Sequence, residues 1–177
     1  MKRTSLIFLE TICCQDGVLR GLSFHNERLN RTRRAFWKGA TPWDLAALIR
    51  IPAEAGEGRY KVRVIYGEAL EKVEFVPYLI RPVRSLRLLE APAELDYDFK
   101  YADRSVLNDL YARRGDCDDV LIVRDGLLTD TSYANLALFD GKEWWTPARP
   151  LLAGTRRARL LAEGRLRTAD IRPEELP

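Results

Sequence analysis

Alternating apolar and polar positions mark the first half of the chain and predict strands joined by short turns. Residues 6–14 are mostly apolar and β-favouring, and the Gln15-Asp16-Gly17 sequence after them is typical of a hairpin turn. A second strand follows this turn, and after it the apolar residues take the spacing of a helix. The pattern predicts strands over residues 6–14, 18–24, 60–65 and 70–77, and helices over 25–36, capped by Asn26, and over 41–49.

In the second half, short apolar runs alternate with turn sequences such as Asp125-Gly126 and Asp140-Gly141. Residues 81–84 have the composition of a linker, so the domain boundary is placed near residue 82. Short strands with few helices indicate an α+β fold, here with domains at 1–82 and 83–177. Strands are predicted over 86–89, 119–123, 127–128, 135–139 and 144–145, and helices over 103–114 and 155–163.

Composition and charge exclude several classes of protein. The 177 residues are 46% hydrophobic and 31% charged, which is typical of a folded globular chain. A net charge of +3 with interspersed signs does not favour a nucleic-acid partner. Cys13, Cys14 and Cys117 form neither a disulfide framework nor a metal set, so no metal site is predicted. No apolar run is long enough for a membrane span or a signal peptide, and a cytoplasmic location is expected.

Lys100 is the strongest candidate for covalent chemistry. It lies between Phe99 and Tyr101 and is one of only six lysines among 29 basic residues. Arginine stays protonated and cannot form a Schiff base, so a lysine retained among many arginines suggests amine chemistry. Taken alone, the same features also fit an ordinary surface lysine at the end of a strand.

Three further positions have both a chemical and a structural interpretation. Asp130 is either a turn residue or a carboxylate that keeps a pyridine ring protonated, so that the ring withdraws electrons. The segment Gly154–Arg157 either starts a helix or forms a phosphate site from free backbone N–H groups. Arg28 belongs to a helix rich in arginine, which is either a solvated face or a source of one phosphate-binding guanidinium.

Together, these segments resemble the class IV aminotransferase family, the fold-type IV pyridoxal-phosphate enzymes. That family includes branched-chain and D-amino-acid aminotransferases and aminodeoxychorismate lyase. The matching segments, in chain order, are 8–12 with Asp16-Gly17, His25-Asn26-Glu27-Arg28-Leu29, Lys100, 129–135, Thr146-Pro147 and 152–157. Each motif is weak alone, but six in the right order are specific.

The resemblance implies a role for each matched residue. Lys100 forms the Schiff base with pyridoxal 5′-phosphate, and Asp130 pairs with the pyridine nitrogen. Leu152 packs on the ring, while Arg28 and the turn with Thr155 and Arg156 bind the phosphate.

The resemblance also implies the architecture and assembly of the protein. We expect a small α/β N-terminal domain and a larger, mixed-strand, barrel-like C-terminal domain, with the cofactor near their interface. We expect a homodimer acting on a small amino substrate, without nucleic acid or membrane as partners. Some tryptophans of the set Trp37, Trp43, Trp144 and Trp145 are expected at the dimer contact.

Several features depart from the family pattern. Asp130 stands where most members have glutamate. Arg156 occupies the usual phosphate-threonine position, with Thr155 one place earlier. The customary first strand is missing and little chain follows the last predicted helix, so a shortened or truncated member is expected.

The residues after Lys100 distinguish between the reactions of the family. Lys100-x-x-Asp103-Arg104 is closer to the lyase pattern Lys-x-x-Asn-Arg than to that of branched-chain aminotransferases. The predicted function is therefore 4-amino-4-deoxychorismate lyase, which releases 4-aminobenzoate and pyruvate. An amino-acid aminotransferase and a degenerate, non-catalytic member are the alternatives. The site for the substrate carboxylate stays open between Arg104 and the exposed arginines.

Overall fold

A four-stranded antiparallel sheet and one long helix form the first part of the chain. Its strands have the order β2-β1-β3-β4. Alternate side chains of the central strands meet α1 in a core that contains Phe8, Ile12, Leu29, Val62 and Val64. The elements are β1 (Phe8–Gln15), β2 (Val18–Leu19), α1 (Leu22–Phe36), α2 (Leu45–Leu48), a 3₁₀ turn (Ala53–Ala55), β3 (Arg59–Tyr66) and β4 (Leu70–Pro77).

The computed structural model describes residues 6–176, and the chain divides into two units. The first unit extends to Ile80 and also contains Phe99–Asp103. The second comprises Arg81–Asp98 and the residues from Arg104 onward. Phe99–Asp103 belongs to the first unit because its backbone bonds to β1, although the sequence analysis assigned this stretch to the second domain.

The start of α1 differs from the sequence prediction. The hairpin at Asp16-Gly17 is confirmed, since both residues have positive φ and Gln15 pairs with Val18. The returning strand does not continue to residue 24, because Gly21 adopts a φ of 67° and α1 begins directly after it.

Asn26 also has a different role from the predicted one, because it lies inside α1 rather than at its cap. Its side-chain oxygen accepts from the Leu45 N–H (2.9 Å), and its nitrogen donates to Asp44 (3.0 Å). Asp44 itself caps α2. Asn26 therefore connects α1 to the beginning of α2.

The second unit contains two three-stranded sheets, in the orders β5-β6-β7 and β8-β9-β10. In each sheet one pair of strands is parallel, β5 with β6 and β9 with β10. β10 was not predicted, and the strand predicted over 135–139 is reduced to two residues. The elements are β5 (Leu86–Glu90), α3 (Ser105–Ala112), β6 (Asp119–Arg124), β7 (Leu127–Thr131), β8 (Leu138–Phe139), β9 (Trp144–Pro147), α4 (Thr155–Ala162), β10 (Arg167–Ala169) and a 3₁₀ turn (Pro173–Glu175).

The α+β class is confirmed by this mixture of helices and largely antiparallel strands. Within residues 6–176, no helix is both long enough and apolar enough to cross a membrane.

Candidate active site

Lys100 is fixed through its backbone to the first strand of the first unit. The Leu9 N–H donates to the Lys100 carbonyl (2.9 Å), and the Tyr101 N–H donates to the Phe99 carbonyl (3.0 Å). The second bond places Lys100 at the centre of a three-residue turn. The lysine is half-buried. Its backbone is thus held in a defined geometry, which a side chain that performs covalent chemistry requires.

The aromatic neighbours of Lys100 pack into the core of the first unit. The Tyr101 ring centroid lies 5.1 Å from that of Phe8, and the Phe99 ring meets Phe36 edge-on at 4.9 Å. Such pairs add about 0.5–1.5 kcal/mol each beyond the area they bury. The aromatic flanks noted in the sequence therefore fix both sides of the Lys100 turn.

Arg28 is buried in a charged cluster with Glu10 and His25. Its Nε and Nη2 donate to the two oxygens of Glu10 (2.9 and 2.6 Å), and His25 Nδ1 lies 2.6 Å from the same carboxylate. Glu10 is fully buried. Burial alone raises its pKa, but the charge of Arg28 and the hydrogen bonds from His25 and Arg28 outweigh burial and leave the pKa below its ordinary value.

The Glu10 contacts limit what Arg28 can do. Two of its three guanidinium nitrogens are bound, and Nη1 makes no hydrogen bond to residues 6–176. Arg28 can therefore present Nη1 to an anion, but not a fork of two nitrogens.

Asp130 is the central carboxylate of the second unit and is 5% exposed. It lies on β7 and bridges to Asn135. One oxygen accepts from Asn135 Nδ2 (2.7 Å), and the other accepts from the Leu152 N–H (3.0 Å). Burial raises the pKa of Asp130 to about 6, and these neutral donors and the charge of Arg157 offset the effect only in part.

Asn135 connects Asp130 with the segment before α4. Besides its bond to Asp130, Nδ2 donates to the Leu152 carbonyl (2.8 Å), and Oδ1 accepts from the Gly154 N–H (3.1 Å). A side chain at Gly154 would overlap Asn135 Oδ1, although the Gly154 backbone angles are ordinary for any residue. Glycine is therefore required here by the approach of Asn135.

The predicted phosphate turn lies at the start of α4. Its N-cap residue, Gly154, has no side chain that could cap the first-turn N–H groups of this eight-residue helix. Thr155 is half-buried and Arg156 is exposed. Arg157 instead donates to Thr146 Oγ1 (3.2 Å) and to the Pro147 carbonyl (2.8 Å). These two bonds join α4 to the Thr-Pro segment of β9.

Glu10, His25 and Asn135 were not predicted as members of these clusters. A signal for Glu10 was available, because it alternates with Phe8, Ile12 and Cys14 on the buried face of β1, where an acidic residue needs a partner. Asn135 lies at the end of the matched segment 129–135, but no pattern in the neighbouring sequence indicated its three hydrogen bonds.

Residues 8–177 match the family model described as amino-transferase class IV. The chain belongs to this family. A protein of Haemophilus influenzae (strain ATCC 51907 / DSM 11121 / KW20 / Rd), described as uncharacterized, is 32% identical over 169 residues. The match spans 94% of this chain and 89% of the relative.

Two solved structures are similar to this chain. A crystal structure from Haemophilus somnus 129PT, described as a candidate 4-amino-4-deoxychorismate lyase, matches with a TM-score of 0.90 and 30% identity, covering 99% of this chain and 92% of that one. The PLP-bound form of a hypothetical aminotransferase from Mycobacterium tuberculosis matches with a TM-score of 0.76. At 19% identity, and with 96% and 73% of the two chains covered, this second match shows the fold alone.

Pyridoxal 5′-phosphate is the cofactor of class IV aminotransferases, and the residues of this chain fit it. Asp130 is a buried carboxylate whose hydrogen-bond donors are the Asn135 amide and backbone N–H groups. The charge of Arg157 offsets burial only in part, and a protonated pyridine nitrogen would add a positive charge at this carboxylate. The start of α4 offers backbone N–H groups to a phosphate. Lys100 supplies an amine on a fixed backbone.

Proposed function

We propose that the chain is a pyridoxal-phosphate-dependent 4-amino-4-deoxychorismate lyase that releases 4-aminobenzoate and pyruvate. The observation that carries the cofactor assignment is the buried Asp130 carboxylate with its neutral partners. Two points favour a lyase: the 30% identity with the Haemophilus somnus protein, and Arg104 four residues after Lys100.

The second unit contributes the groups that orient the cofactor. The Asp130 carboxylate would accept a hydrogen bond from the protonated pyridine nitrogen, and Leu152 would pack against the ring. Thr155 and Arg156, with the first-turn N–H groups of α4, bind the phosphate. When bound, the cofactor withdraws electrons from the substrate carbon next to the amine.

The first unit contributes the amine and one cation. Lys100 Nζ would hold the cofactor and, as a free amine, would accept and donate protons at the substrate. Arg28 offers its Nη1 to the phosphate, because Glu10 occupies its other two nitrogens.

Arg104 is proposed to bind a carboxylate of the substrate. One of its terminal nitrogens donates to the Ser132 carbonyl, and its Nε is buried without a partner among residues 6–176. The bond to Ser132 limits the conformations of the guanidinium and leaves donors for an anion. Aminodeoxychorismate carries two carboxylates, which suits a cation at this position.

We further propose a homodimer. The tryptophans expected at its contact differ in surroundings: Trp37 and Trp43 pack on the core of the first unit, whereas Trp144 is 48% exposed. Trp144 lies beside Phe139, with ring centroids 5.0 Å apart, and Phe139 is also exposed. This pair is the best candidate for the contact. The barrel-like second domain, the domain boundary near residue 82 and the cytoplasmic location stay predictions.

Incubation of the purified protein with each substrate class tests the proposed reaction. The lyase should form equal amounts of 4-aminobenzoate and pyruvate from aminodeoxychorismate. Lys100→Ala should abolish this turnover, and so should Lys100→Arg, which keeps the charge but cannot act as an amine. A keto acid from leucine or D-alanine, without 4-aminobenzoate, would establish the aminotransferase instead. A protein that binds no cofactor would be a degenerate member.

A further inference from the structure

The Asn135 side chain has a set of partners that only an amide can satisfy. Nδ2 faces two groups that can only accept, the Asp130 carboxylate at 2.7 Å and the Leu152 carbonyl at 2.8 Å. Oδ1 faces a group that can only donate, the Gly154 N–H at 3.1 Å. These partners also fix the orientation of the amide. Exchanging its oxygen and nitrogen would place acceptor against acceptor at two contacts and donor against donor at the third.

The three bonds close a network with the bond from the Leu152 N–H to Asp130. Leu152 is thereby held at both its N–H and its carbonyl, and Gly154 is held at its N–H just before α4. The carboxylate and the beginning of the helix are separated by 24 residues in sequence, from 130 to 154. Asn135 is the side chain that joins them directly.

We propose that Asn135 is a positioning residue that sets the Asp130 carboxylate and the 152–154 backbone in one fixed arrangement. Asn135 would then orient both groups assigned to the ends of the cofactor, the ring nitrogen at Asp130 and the phosphate at α4. This inference rests on the proposed function only in naming what the two groups bind. The arrangement itself is independent of the ligand.

Two variants separate the contribution of the Asn135 donor, Nδ2, from that of its acceptor, Oδ1. Asn135→Ala removes every bond. Asn135→Asp keeps the shape and the acceptor for Gly154, but it replaces the donor with a second negative charge beside Asp130. Asn30→Ala is a matched control, since Asn30 also holds backbone with both side-chain atoms, through Trp43 N–H and carbonyl (2.8 Å each).

The experiment measures two quantities in each folded variant. One is the Kd for pyridoxal phosphate, from quenching of tryptophan fluorescence in the apoprotein. The other is the titration of the Asp130 carboxyl carbon by NMR without cofactor. Asn135→Ala should weaken binding by about tenfold or more and move the Asp130 titration to higher pH. Asn135→Asp should move that titration further still, and Asn30→Ala should change neither quantity.

Wild-type affinity and an unchanged Asp130 titration in folded Asn135→Ala would overturn the inference. If the alanine variant does not fold, the isosteric Asn135→Asp variant replaces it, and wild-type affinity with an unchanged Asp130 titration in that variant would also overturn the inference. Failure of the wild-type protein to bind pyridoxal phosphate would refute the proposed function instead. The Asp130 titration would then still test the arrangement, because it needs no cofactor.

Discussion

Glu10 of the first unit and Asp130 of the second are both buried carboxylates, but burial changes their pKa values in opposite directions once their partners are counted. Glu10 in the first unit lies against Arg28 and His25, and its pKa falls below the ordinary value despite complete burial. Asp130 in the second unit is held by the Asn135 amide and the Leu152 N–H, and burial raises its pKa to about 6. Arg28 thus holds Glu10 in its charged form within the first unit, whereas the charge of Arg157 offsets the burial of Asp130 only in part. Under the proposed function, the pyridine nitrogen of the cofactor would supply a further positive charge at Asp130, and Glu10 would stay a structural ion pair.

Removing Glu10 should have the largest effect. Glu10→Ala leaves the Arg28 guanidinium buried without its carboxylate, and loss of one partner of a buried pair costs about 3–5 kcal/mol of unfolding free energy. Urea denaturation of the apoprotein measures this loss. The control is Glu74→Ala, because Glu74 also accepts from an arginine (Arg63, 2.9 Å) but is only half-buried and should matter far less. Equal losses in the two variants would contradict the structural role of Glu10.

The pH dependence of stability should differ in sign between the two carboxylates. The folded state raises the pKa of Asp130 from 3.8 to about 6, so its contribution is complete below pH 3.8 and is lost as pH rises through 6, in total about 3 kcal/mol. Glu10 has a lowered pKa, so its contribution is present above 4.5 and is lost as pH falls.

Unfolding free energies of the apoprotein from pH 4 to 7 test this difference. Subtracting the curve of Asp130→Asn, which does not titrate, isolates the contribution of Asp130. That difference should decline towards pH 7. A difference that is flat or rises over this range would show that Asp130 already has a cationic partner in the protein.

A smaller effect should appear at the contact between Asn135 and Gly154. Gly154→Ala would force its new methyl group into Asn135 Oδ1 and should cost about 1–3 kcal/mol of unfolding free energy. In the Asn135→Ala background the same change should cost much less, because the three atoms nearest to the new methyl group all belong to the Asn135 side chain. A double-mutant cycle by urea denaturation measures this coupling. If the two changes are additive, Gly154 is required for another reason.

Local chemistry explains which parts of the fold could be predicted. The hairpins at Asp16-Gly17 and Asp125-Gly126 followed from two residues that tolerate positive φ, and both are present. The strand β10 was missed because the polar residues Arg167–Ala169 extend only through parallel pairing with β9. The start of α1 was not predicted because Leu22-Ser23-Phe24 has the composition of a strand. In the structure, Gly21 adopts a positive φ and the helix begins at the next residue.

In the candidate site, too, neighbouring residues predict some features, and contacts between distant parts of the chain determine the rest. Lys100, Asp130 and the turn before α4 could be singled out by residue type and order. Their partners could not, because Glu10 meets Arg28 across 18 residues and Asn135 meets Leu152 across 17. The association of Lys100 with β1 is equally long-range, through Leu9. Only the fold therefore reveals which carboxylate has its charge satisfied.

The pKa of Asp130 with and without cofactor is the most direct test of this account. It can be followed by NMR of the carboxyl carbon in the apoprotein and again at saturating pyridoxal phosphate, with Asp130→Asn to identify the signal. If the carboxylate pairs with the protonated pyridine nitrogen, its pKa should drop from about 6 to well below that value on binding, since an adjacent cation favours the charged form. A pKa that is unchanged or higher in the bound state would contradict the assignment of Asp130 to the cofactor.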